Sequence, residues 1–357
     1  MAKVLVTGAT GLVGIAVVDR LIENGERPLI LIRGGSPGTA RVRRYQQLGL
    51  VECVNGDLAA PHLALPLEAR SRLRAEVDQV LHIGGHYRLS ADFATVNEVN
   101  VGGTARLLDL FAGRPLSAFH MVSSIVAAGR ADGNVPEALL PKPAAFRNAY
   151  EESKWSSEAL IAQSGQPARI YRPGIIVGDS STGETTKFDG PYAAFPLAVP
   201  WAPFFIAGSG CNWFPLVTVD LVADVLSAGL NRPPTACEVL NVLDGSRPTL
   251  LSFTRAMTQR LAGHQLVLSM PRSLLEAIVG LPGFHRLCEL EAEALAYMSA
   301  SWTFSTEAFD RFCLASGLSN ERLATAYDAL AVYYCAVRGR RVRLPYPPAP
   351  EALLSTI

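Results

Sequence analysis

The chain has 357 residues, of which 49% are hydrophobic and 18% charged, a composition that supports a sizeable buried core and argues against intrinsic disorder. Its 32 basic and 32 acidic side chains cancel, so nothing in the charge favours a nucleic-acid partner. The six cysteines are scattered without a CxxC pair, which argues against a zinc or disulfide framework and favours reduced thiols in a cytoplasmic protein.

Short apolar strands alternate with helical patterns through the first two thirds of the chain. The first helix is predicted from about Gly11 to Asn24, with Gly25 as its C-cap. Strands are predicted, in chain order, at "KVLVT", "PLILIR", "LVECV", "DQVLHIG", "SAFHMVS", "ARIYRPGIIVG" and "CEVLNVL". Continuous apolar strands between helices are typical of a parallel sheet covered on both faces. This pattern predicts an α/β fold with a Rossmann-type doubly wound parallel sheet.

A change of pattern near Gly178 indicates a second, smaller part. We expect residues 1–178 and 216–245 to form a dinucleotide-binding domain. Residues 179–215 and 246–357 are expected to form a mainly helical, substrate-binding part, because patterns such as "PRSLLEAIVG" and "NERLATAYDALAVYY" have helical spacing.

The stretch from Pro191 to Val219 contains no charged residue and is long enough to span a membrane. Five prolines interrupt it, and each interior proline costs a helix about 3 kcal/mol. The stretch therefore predicts an apolar, irregular wall, with association at a membrane surface as the less favoured alternative. The opening "MAKVLVTG" passes straight into a strand pattern, so we expect no signal peptide.

The segment "TGATGLVG" places Gly8, Gly11 and Gly14 between the first strand and the first helix. Glycines there let the backbone approach a pyrophosphate, which then sits at the positive end of the helix. The spacing is GxxGxxG rather than GxGxxG, and glycines at such a junction can also be purely structural. The context on both sides favours dinucleotide binding.

Cofactor choice depends on the end of the second strand, where an acidic residue takes the ribose 2′-hydroxyl of NADH. Here Arg33 stands in "LIRGG", and a guanidinium suits the 2′-phosphate of NADPH. The alternative is a solvated basic loop with no role in cofactor choice. Asp57 in "VNGDL" follows the third strand and could accept a hydrogen bond from the adenine amino group.

The stretch "NAYEESKWSSEAL" places Tyr150 and Lys154 four residues apart, on one face of a predicted helix. Alone, this pair could equally be a packing pair on a solvated helix. Its weight comes from the motifs that precede and follow it, in this order: "TGATGLVG", "NGDL", "LHIGG", "VNVGGT", "HMVSSIVAAG", "YEESK" and "YRPGIIVG".

Together these motifs resemble the extended short-chain dehydrogenase/reductase family over roughly residues 3–245. The resemblance implies that Ser124, Tyr150 and Lys154 are catalytic, with Ser123 as the competing serine. It implies a cofactor site formed by Thr7, Gly8, Thr10, Gly11, Leu12, Gly14, Arg33, Asp57, Leu58, Gly84, Asn100, Tyr150, Lys154, Pro173, Gly174 and Ile176.

The chemistry explains these residue types. Lys154, as an ammonium, is expected to lower the phenol pKa of Tyr150 and to reach the nicotinamide ribose. Tyr150 then acts as general acid toward an oxygen that gains negative charge, and Ser124 donates to the same oxygen. Asn100 is expected to hold the backbone near the lysine. His82 and His86 flank "IGG" without an evident carboxylate partner, so we expect loop packing there and no metal site.

A narrower resemblance, to fatty acyl-CoA reductases and thioester reductase domains, rests on "HYRLSADFATVNEVNVGGT", "FHMVSSIVAAG" and "RPGIIVGDSSTGETTKFDGPY". It implies NADPH-dependent reduction of an acyl thioester to an aldehyde or alcohol, with an acyl carrier protein as a separate partner. One alternative is a ketone, aldehyde or sterol-like alcohol oxidoreductase, and another is a cofactor-binding regulator or scaffold without turnover. A homodimer through sheet-flanking helices is open on the sequence.

Overall fold

The computed structural model describes residues 2–35, 38–88, 91–131, 133–284, 288, 290, 292–298 and 302–339. The strands are β1 (Val4–Thr7), β2 (Leu29–Ile32), β3 (Glu52–Asn55), β4 (Gln79–His82), β5 (Ala118–Val122), β6 (Asn134–Val135), β7 (Ala168–Pro173), β8 (Ile175–Val177), β9 (Phe204–Ala207), β10 (Leu216–Thr218), β11 (Cys237–Val242), β12 (Val267–Met270) and β13 (Thr303–Phe304).

The α-helices are α1 (Leu12–Glu23), α2 (Thr39–Gln47), α3 (Leu67–Glu76), α4 (Phe93–Asn97), α5 (Gly103–Leu110), α6 (Ala149–Gln163), α7 (Val219–Leu230), α8 (Leu250–Ala262), α9 (Arg272–Val279), α10 (Ala292–Met298), α11 (Glu307–Ser316) and α12 (Leu323–Val337). Short 3₁₀ segments cover Pro61–Ala64, Ile125–Ala128 and Gly190–Leu197, and one π-helical turn covers Glu98–Gly102.

The central sheet has seven parallel strands in the order β3-β2-β1-β4-β5-β7-β11. Strands β2 and β4 are buried along their whole length, as expected for a sheet covered on both faces. Chain order reverses between β1 and β4, and Thr7 and His82 pair where these two strands end. Ligands bind at such switch points, outside the carboxyl ends of the strands. The predicted α/β, Rossmann-type sheet is confirmed.

The sixth predicted strand is two strands. Pro173 closes β7, and the Gly174 amide donates to the Val242 carbonyl oxygen at 3.1 Å as the last bond to β11. Because Pro173 has no amide hydrogen, it cannot extend the ladder, and the chain turns away from the sheet. The next segment, β8, pairs with β10 in a separate two-stranded sheet.

The chain divides into two compact units. The first comprises residues up to Gly174, Asp220–Val242 and Phe304–Ser319, and the second comprises Ile175–Val219, Leu243–Thr303 and the residues from Asn320 onward. The core of the first unit lies on both sides of the central sheet. Its fully buried members include Leu5, Leu29, Val80, Phe119 and Ile170. Each such side chain contributes roughly 1.5–3 kcal/mol of hydrophobic stabilisation.

The second unit has an aromatic core. The ring centroid of Phe195 lies 5.1 Å from those of Tyr192 and Tyr334, in edge-to-face geometry. Tyr192 also accepts a hydrogen bond from the Gly178 amide at 2.9 Å. The uncharged stretch thus forms a 3₁₀ segment, Gly190–Leu197, and then strand β9, as an irregular apolar wall. Across the described ranges, no helix combines the length and hydropathy needed to cross a membrane.

A buried polar network lies under the middle of the central sheet. His120 Nδ1 lies 3.0 Å from the Tyr171 hydroxyl, and its Nε2 lies 3.1 Å from Gln79 Oε1. Gln79 Nε2 donates to the Leu230 carbonyl oxygen at 3.1 Å. Since Gln79 Oε1 can only accept, Nε2 carries the proton and the imidazole is neutral. Burial, reinforced by nearby Arg169, lowers the pKa of His120 to about 3.

This network predicts acid sensitivity. In the unfolded chain a histidine binds a proton near pH 6.5, whereas folded His120 stays neutral down to about pH 3. Stability from this residue is therefore complete above pH 6.5 and is lost as pH falls. Denaturant titrations should show the free energy of unfolding at pH 5 lower than at neutral pH by roughly 2 kcal/mol on account of His120. His120→Gln should flatten this pH dependence, and His62→Gln, at an exposed position, should leave it unchanged.

Candidate active site

The loop after β1 approaches two other backbone segments too closely for any side chain. A β-carbon on Gly14 would lie 2.1 Å from the Gly8 carbonyl oxygen, and one on Gly8 would lie 2.4 Å from the Gly84 nitrogen. Gly8 also has φ +74°, in the left-handed region. Gly11 is the N-cap of α1 and supplies no capping side chain, so the first amides of this helix remain for another acceptor. This cradle fits a pyrophosphate.

Flanking residues complete the edges of the cradle. A β-carbon on Gly38 would lie 2.2 Å from the Thr10 carbonyl oxygen, so the segment before α2 presses directly on the loop. Leu58 packs against Gly84, where a β-carbon would meet its Cδ1 at 2.6 Å. Leu12 is the first residue of α1. The loops that follow β1, β2, β3 and β4 thus meet at one edge of the sheet.

Arg33 follows β2 directly and is 68% exposed at its side chain. Its Nη1 lies 3.8 Å from Asp57 Oδ2, a loose surface pair of little energetic weight. Asp57 Oδ1 accepts the Ala59 amide at 3.0 Å, which shapes the turn after β3. By contrast, the Arg41 guanidinium on α2 is held at 2.8 Å by the Tyr45 hydroxyl. Arg33 is therefore the basic side chain at the end of β2 with the weaker hold on the protein.

The two adjacent serines after β5 face opposite sides. Ser123 Oγ is buried and donates to Glu158 Oε1 at 2.5 Å. Ser124 begins the 3₁₀ segment, accepts the Val126 amide at 3.4 Å, and hydrogen-bonds the Tyr150 side chain. The structure therefore brings Ser124, and not Ser123, to Tyr150.

Tyr150 and Lys154 lie one turn apart on α6, whose N-cap Asn148 accepts the Glu151 amide at 3.0 Å. Lys154 Nζ lies 5.7 Å from the Tyr150 ring centroid and donates to the Val122 carbonyl oxygen at 3.0 Å. Burial lowers the pKa of Lys154 to about 8.

The expected lowering of the Tyr150 pKa is not observed. Burial raises the pKa of this phenol above its ordinary value, and the nearby Tyr87 hydroxyl adds to the rise, while the Ser124 hydrogen bond opposes it. The Tyr87 ring stands edge-on to Tyr150, with centroids 5.1 Å apart. The reason is that desolvation of the phenolate outweighs the lysine charge, because Lys154 points toward the Val122 carbonyl. Tyr150 is therefore held in its protonated form.

Asn100 lies in the π-helical turn Glu98–Gly102 and joins three segments. Its Oδ1 accepts the His86 amide at 2.6 Å, and its Nδ2 donates to the His86 carbonyl oxygen at 3.2 Å and to Ser153 Oγ at 2.8 Å. A β-carbon on Gly85 would lie 3.1 Å from Asn100 Oδ1 and 3.6 Å from Lys154 Nζ. Asn100 therefore holds the loop after β4 beside the lysine.

His82 links the cradle to this turn through hydrogen bonds of one consistent direction. Thr7 Oγ1 accepts the Gly84 amide at 3.2 Å and lies 2.7 Å from His82 Nδ1. Thr104 donates to the Asn100 carbonyl oxygen at 2.6 Å, so its oxygen accepts from His82 Nε2 at 3.1 Å. The tautomer with hydrogen on Nε2 follows from these partners. Burial, with a smaller effect of the Lys154 charge, lowers the pKa of this histidine to about 3.

Sequence reasoning missed a buried ion pair behind the serines. Arg172 and Glu158 are 0% and 2% exposed and form a bidentate pair, Nε to Oε1 at 2.9 Å and Nη2 to Oε2 at 2.6 Å. The available signals were a glutamate four residues after Lys154, on the face shared with Tyr150, and an arginine inside an apolar strand. Neither signal names the partner.

The remaining predicted residues occupy different elements. Pro173 ends β7 and Gly174 follows it, in the first unit. Ile176 lies on β8, in the second unit. Among the residues that the structure describes, no group of three or more His, Cys, Asp or Glu side chains could hold a metal ion.

Residues 6–226 match the model of the family described as male sterility protein, a family of NAD-binding domains. Isonitrile lipopeptide synthase of Streptomyces coeruleorubidus is 30% identical over 253 residues, which is 66% of this chain and 17% of that protein. The chain spans under a fifth of the length of the curated relatives it matches.

Two solved structures have the same fold at low identity. The terminal R domain from the myxalamid PKS-NRPS biosynthetic pathway is 20% identical, with a TM-score of 0.76 over 95% of this chain and 91% of that one. A thiolation-reductase di-domain from an archaeal non-ribosomal peptide synthetase is 16% identical, with a TM-score of 0.70 over 95% of this chain and 76% of that one. With the family match, these comparisons show that the chain belongs to the male sterility protein family of extended short-chain dehydrogenases/reductases, NAD(P)-dependent oxidoreductases.

Proposed function

We propose that this chain reduces an acyl thioester, held on coenzyme A or on a carrier protein, with NADPH as the hydride donor. The observation that carries the proposal is the meeting of Ser124, Tyr150 and Lys154 at the carboxyl ends of the strands. Gly85 connects this group to the glycine cradle, because its backbone lies against Asn100 and Lys154. A protonated phenol, a hydroxyl and an ammonium suit a reaction that places negative charge on oxygen.

The bound cofactor supplies a hydride to the carbonyl carbon of the thioester. Ser124 and Tyr150 hold the carbonyl oxygen, and Tyr150 gives it a proton as the carbon–oxygen double bond becomes single. The raised pKa of Tyr150 suits this step, because the phenol stays protonated until the oxygen demands the proton. The hemithioacetal then loses its hydroxyl proton, the carbon–sulfur bond breaks, and the thiol leaves with a proton. An aldehyde results, and a second hydride would give the alcohol.

The relatives support a thioester rather than a free carbonyl compound. The best-covered ones are parts of synthases and synthetases, and one structural neighbour is a reductase joined to a thiolation domain. We infer that this chain likewise accepts its acyl group from a carrier protein, which would be its macromolecular partner.

The second unit supports an apolar acyl group. The stretch from Pro191 to Phe214 is uncharged, and this unit holds a cavity of about 40 Å³ with an almost wholly apolar lining, including Phe195, Phe204 and Met257. A hydrocarbon chain is the ligand class that such a lining favours. We therefore propose that residues 179–215 and 246–357 form the substrate-binding part.

The proposed reaction is tested by following NADPH oxidation and thiol release together, with matched acyl-CoA, acyl-carrier, aldehyde and ketone substrates. Thiol released in step with NADPH loss supports thioester reduction. NADPH loss with aldehydes or ketones but never with thioesters would replace it with carbonyl reduction. Cofactor binding without turnover on any substrate would favour a regulatory or scaffold role.

Tyr150→Phe should lower kcat by a factor of about 10² to 10⁴, because the general acid is lost while the ring is kept. NADPH affinity, followed by quenching of protein fluorescence, should stay within about threefold of the unmodified protein. Tyr87→Phe keeps the edge-on ring and serves as the matched control, with a kcat close to that of the unmodified protein. Turnover of Tyr150→Phe within a few-fold of the unmodified protein would contradict the proposed role.

Gly14→Ala should weaken binding of either dinucleotide by more than about tenfold, because its β-carbon would lie 2.1 Å from the Gly8 carbonyl oxygen and distort the cradle. Gly34→Ala is the control, since a β-carbon there meets nothing within 4 Å. Calorimetric titration measures both affinities. Equal affinities for the two variants would rule out the cradle as the pyrophosphate site.

Arg33→Asp should shift the preference from NADPH toward NADH, because the carboxylate repels a 2′-phosphate and accepts a ribose hydroxyl. The readout is the ratio of kcat/KM for the two cofactors. Arg44→Asp makes the same charge change on exposed helix α2 and should leave the ratio nearly unchanged. An unchanged ratio for Arg33→Asp would remove Arg33 from cofactor selection.

A further inference from the structure

We propose that Glu158 is a positioning residue of this reductase, whose buried carboxylate holds the catalytic helix α6, the end of β5 and the end of β7 in one arrangement. The inference rests on the proposed roles of Ser124, Tyr150 and Lys154. Glu158 itself contacts none of the reacting atoms in this assignment. It acts through its neighbours.

One carboxylate joins three elements. Its Oε1 accepts from Ser123 Oγ at 2.5 Å and from Arg172 Nε at 2.9 Å, and its Oε2 accepts from Arg172 Nη2 at 2.6 Å. The other guanidinium hydrogens of Arg172 go to the carbonyl oxygens of Pro136, at 3.2 Å, and Ala138, at 3.0 Å. The network therefore leaves the buried charges well paired.

Each partner of Glu158 is adjacent to a residue of the proposed site. Ser123 precedes Ser124, and its amide donates to the Tyr171 carbonyl oxygen at 2.7 Å, which fastens the end of β5 to β7. Arg172 precedes Pro173, where β7 ends. Glu158 lies one helical turn beyond Lys154. A small shift of the carboxylate would move the serine, the strand end and the helix relative to one another.

Stability alone does not account for a charge at this position. A buried ion pair costs so much desolvation that apolar side chains of similar volume often stabilise a protein equally well or better. Arg172 and Glu158 are nonetheless fully charged partners in the interior, directly behind the serines. Their placement fits a requirement for geometry and charge at the site.

The carboxylate also acts on Lys154 through its charge. Tyr150 and Glu158 on the same helix, and His82 on β4, are the titratable groups that face Lys154. Burial lowers the pKa of Lys154, and the negative charge of Glu158 opposes that effect. Because His82 is neutral, Glu158 is the side chain of these three that favours the ammonium form.

The test is Glu158→Gln, which keeps the shape of the side chain and removes its charge. We expect kcat to fall at least about tenfold while KM for NADPH stays within about threefold, because the chemical step and not cofactor binding depends on this carboxylate. The alkaline limb of the kcat profile should move to lower pH. Competitive labelling of lysines with acetic anhydride, read by mass spectrometry across pH, should show the same downward shift for Lys154 without any need for turnover.

Two further variants separate positioning from folding. Glu158→Gln combined with Arg172→Gln removes both buried charges, so it should fold even where the single variant does not, and it should keep the low kcat and the shifted limb. Glu152→Gln removes a carboxylate from the same helix without touching this network, and should behave as the unmodified protein. Recovery of unmodified kcat and pH profile in the double variant would overturn the inference. An unmodified protein inert toward every thioester would instead count against the proposed function, and the labelling result would still decide the role of Glu158.

Discussion

The backbone contact between the loops that leave β1 and β4 is the constraint on which the site depends. These two strands pair directly, although they are far apart in the chain, and their loops then run against each other at Gly8 and Gly84. The absence of side chains on both sides leaves the amide groups of α1 accessible to an anion. The same contact brings Gly85 under Asn100 and Lys154, so cofactor cradle and catalytic helix share one wall.

Buried polar groups around this wall are satisfied in a directed way. The chain from Gly84 through Thr7, His82 and Thr104 to the Asn100 carbonyl oxygen has a donor and an acceptor at every step. A second network, on Glu158, does the same for charges. Leaving one such group unpaired in the interior costs about 1–3 kcal/mol, and more for a charge, so both networks strongly favour a single arrangement of the site.

Local chemistry made much of this structure predictable. The seven strands, the glycine cradle and the pairing of Tyr150 with Lys154 follow from patterns a few residues long, which act through strand burial and helical spacing. The choice between Ser123 and Ser124 required the structure, because both fit the pattern and only contacts from distant elements distinguish them. Glu158 and Arg172 escaped notice for the same reason, since fourteen residues separate them. The phenol pKa depends on burial, which the sequence does not display.

The π-helical turn Glu98–Gly102 has a consequence for how this chain can change. Such a turn holds one residue more than an α-helix of the same rise, and it directs the Asn100 carbonyl oxygen toward the Thr104 and Ser157 hydroxyls. Loss of a single residue here would restore α-helical register and rotate everything before it by roughly 100° about the helix axis. Asn100 would then turn away from His86. Substitutions in this segment can be absorbed singly, whereas its length cannot vary without dismantling the wall of the site.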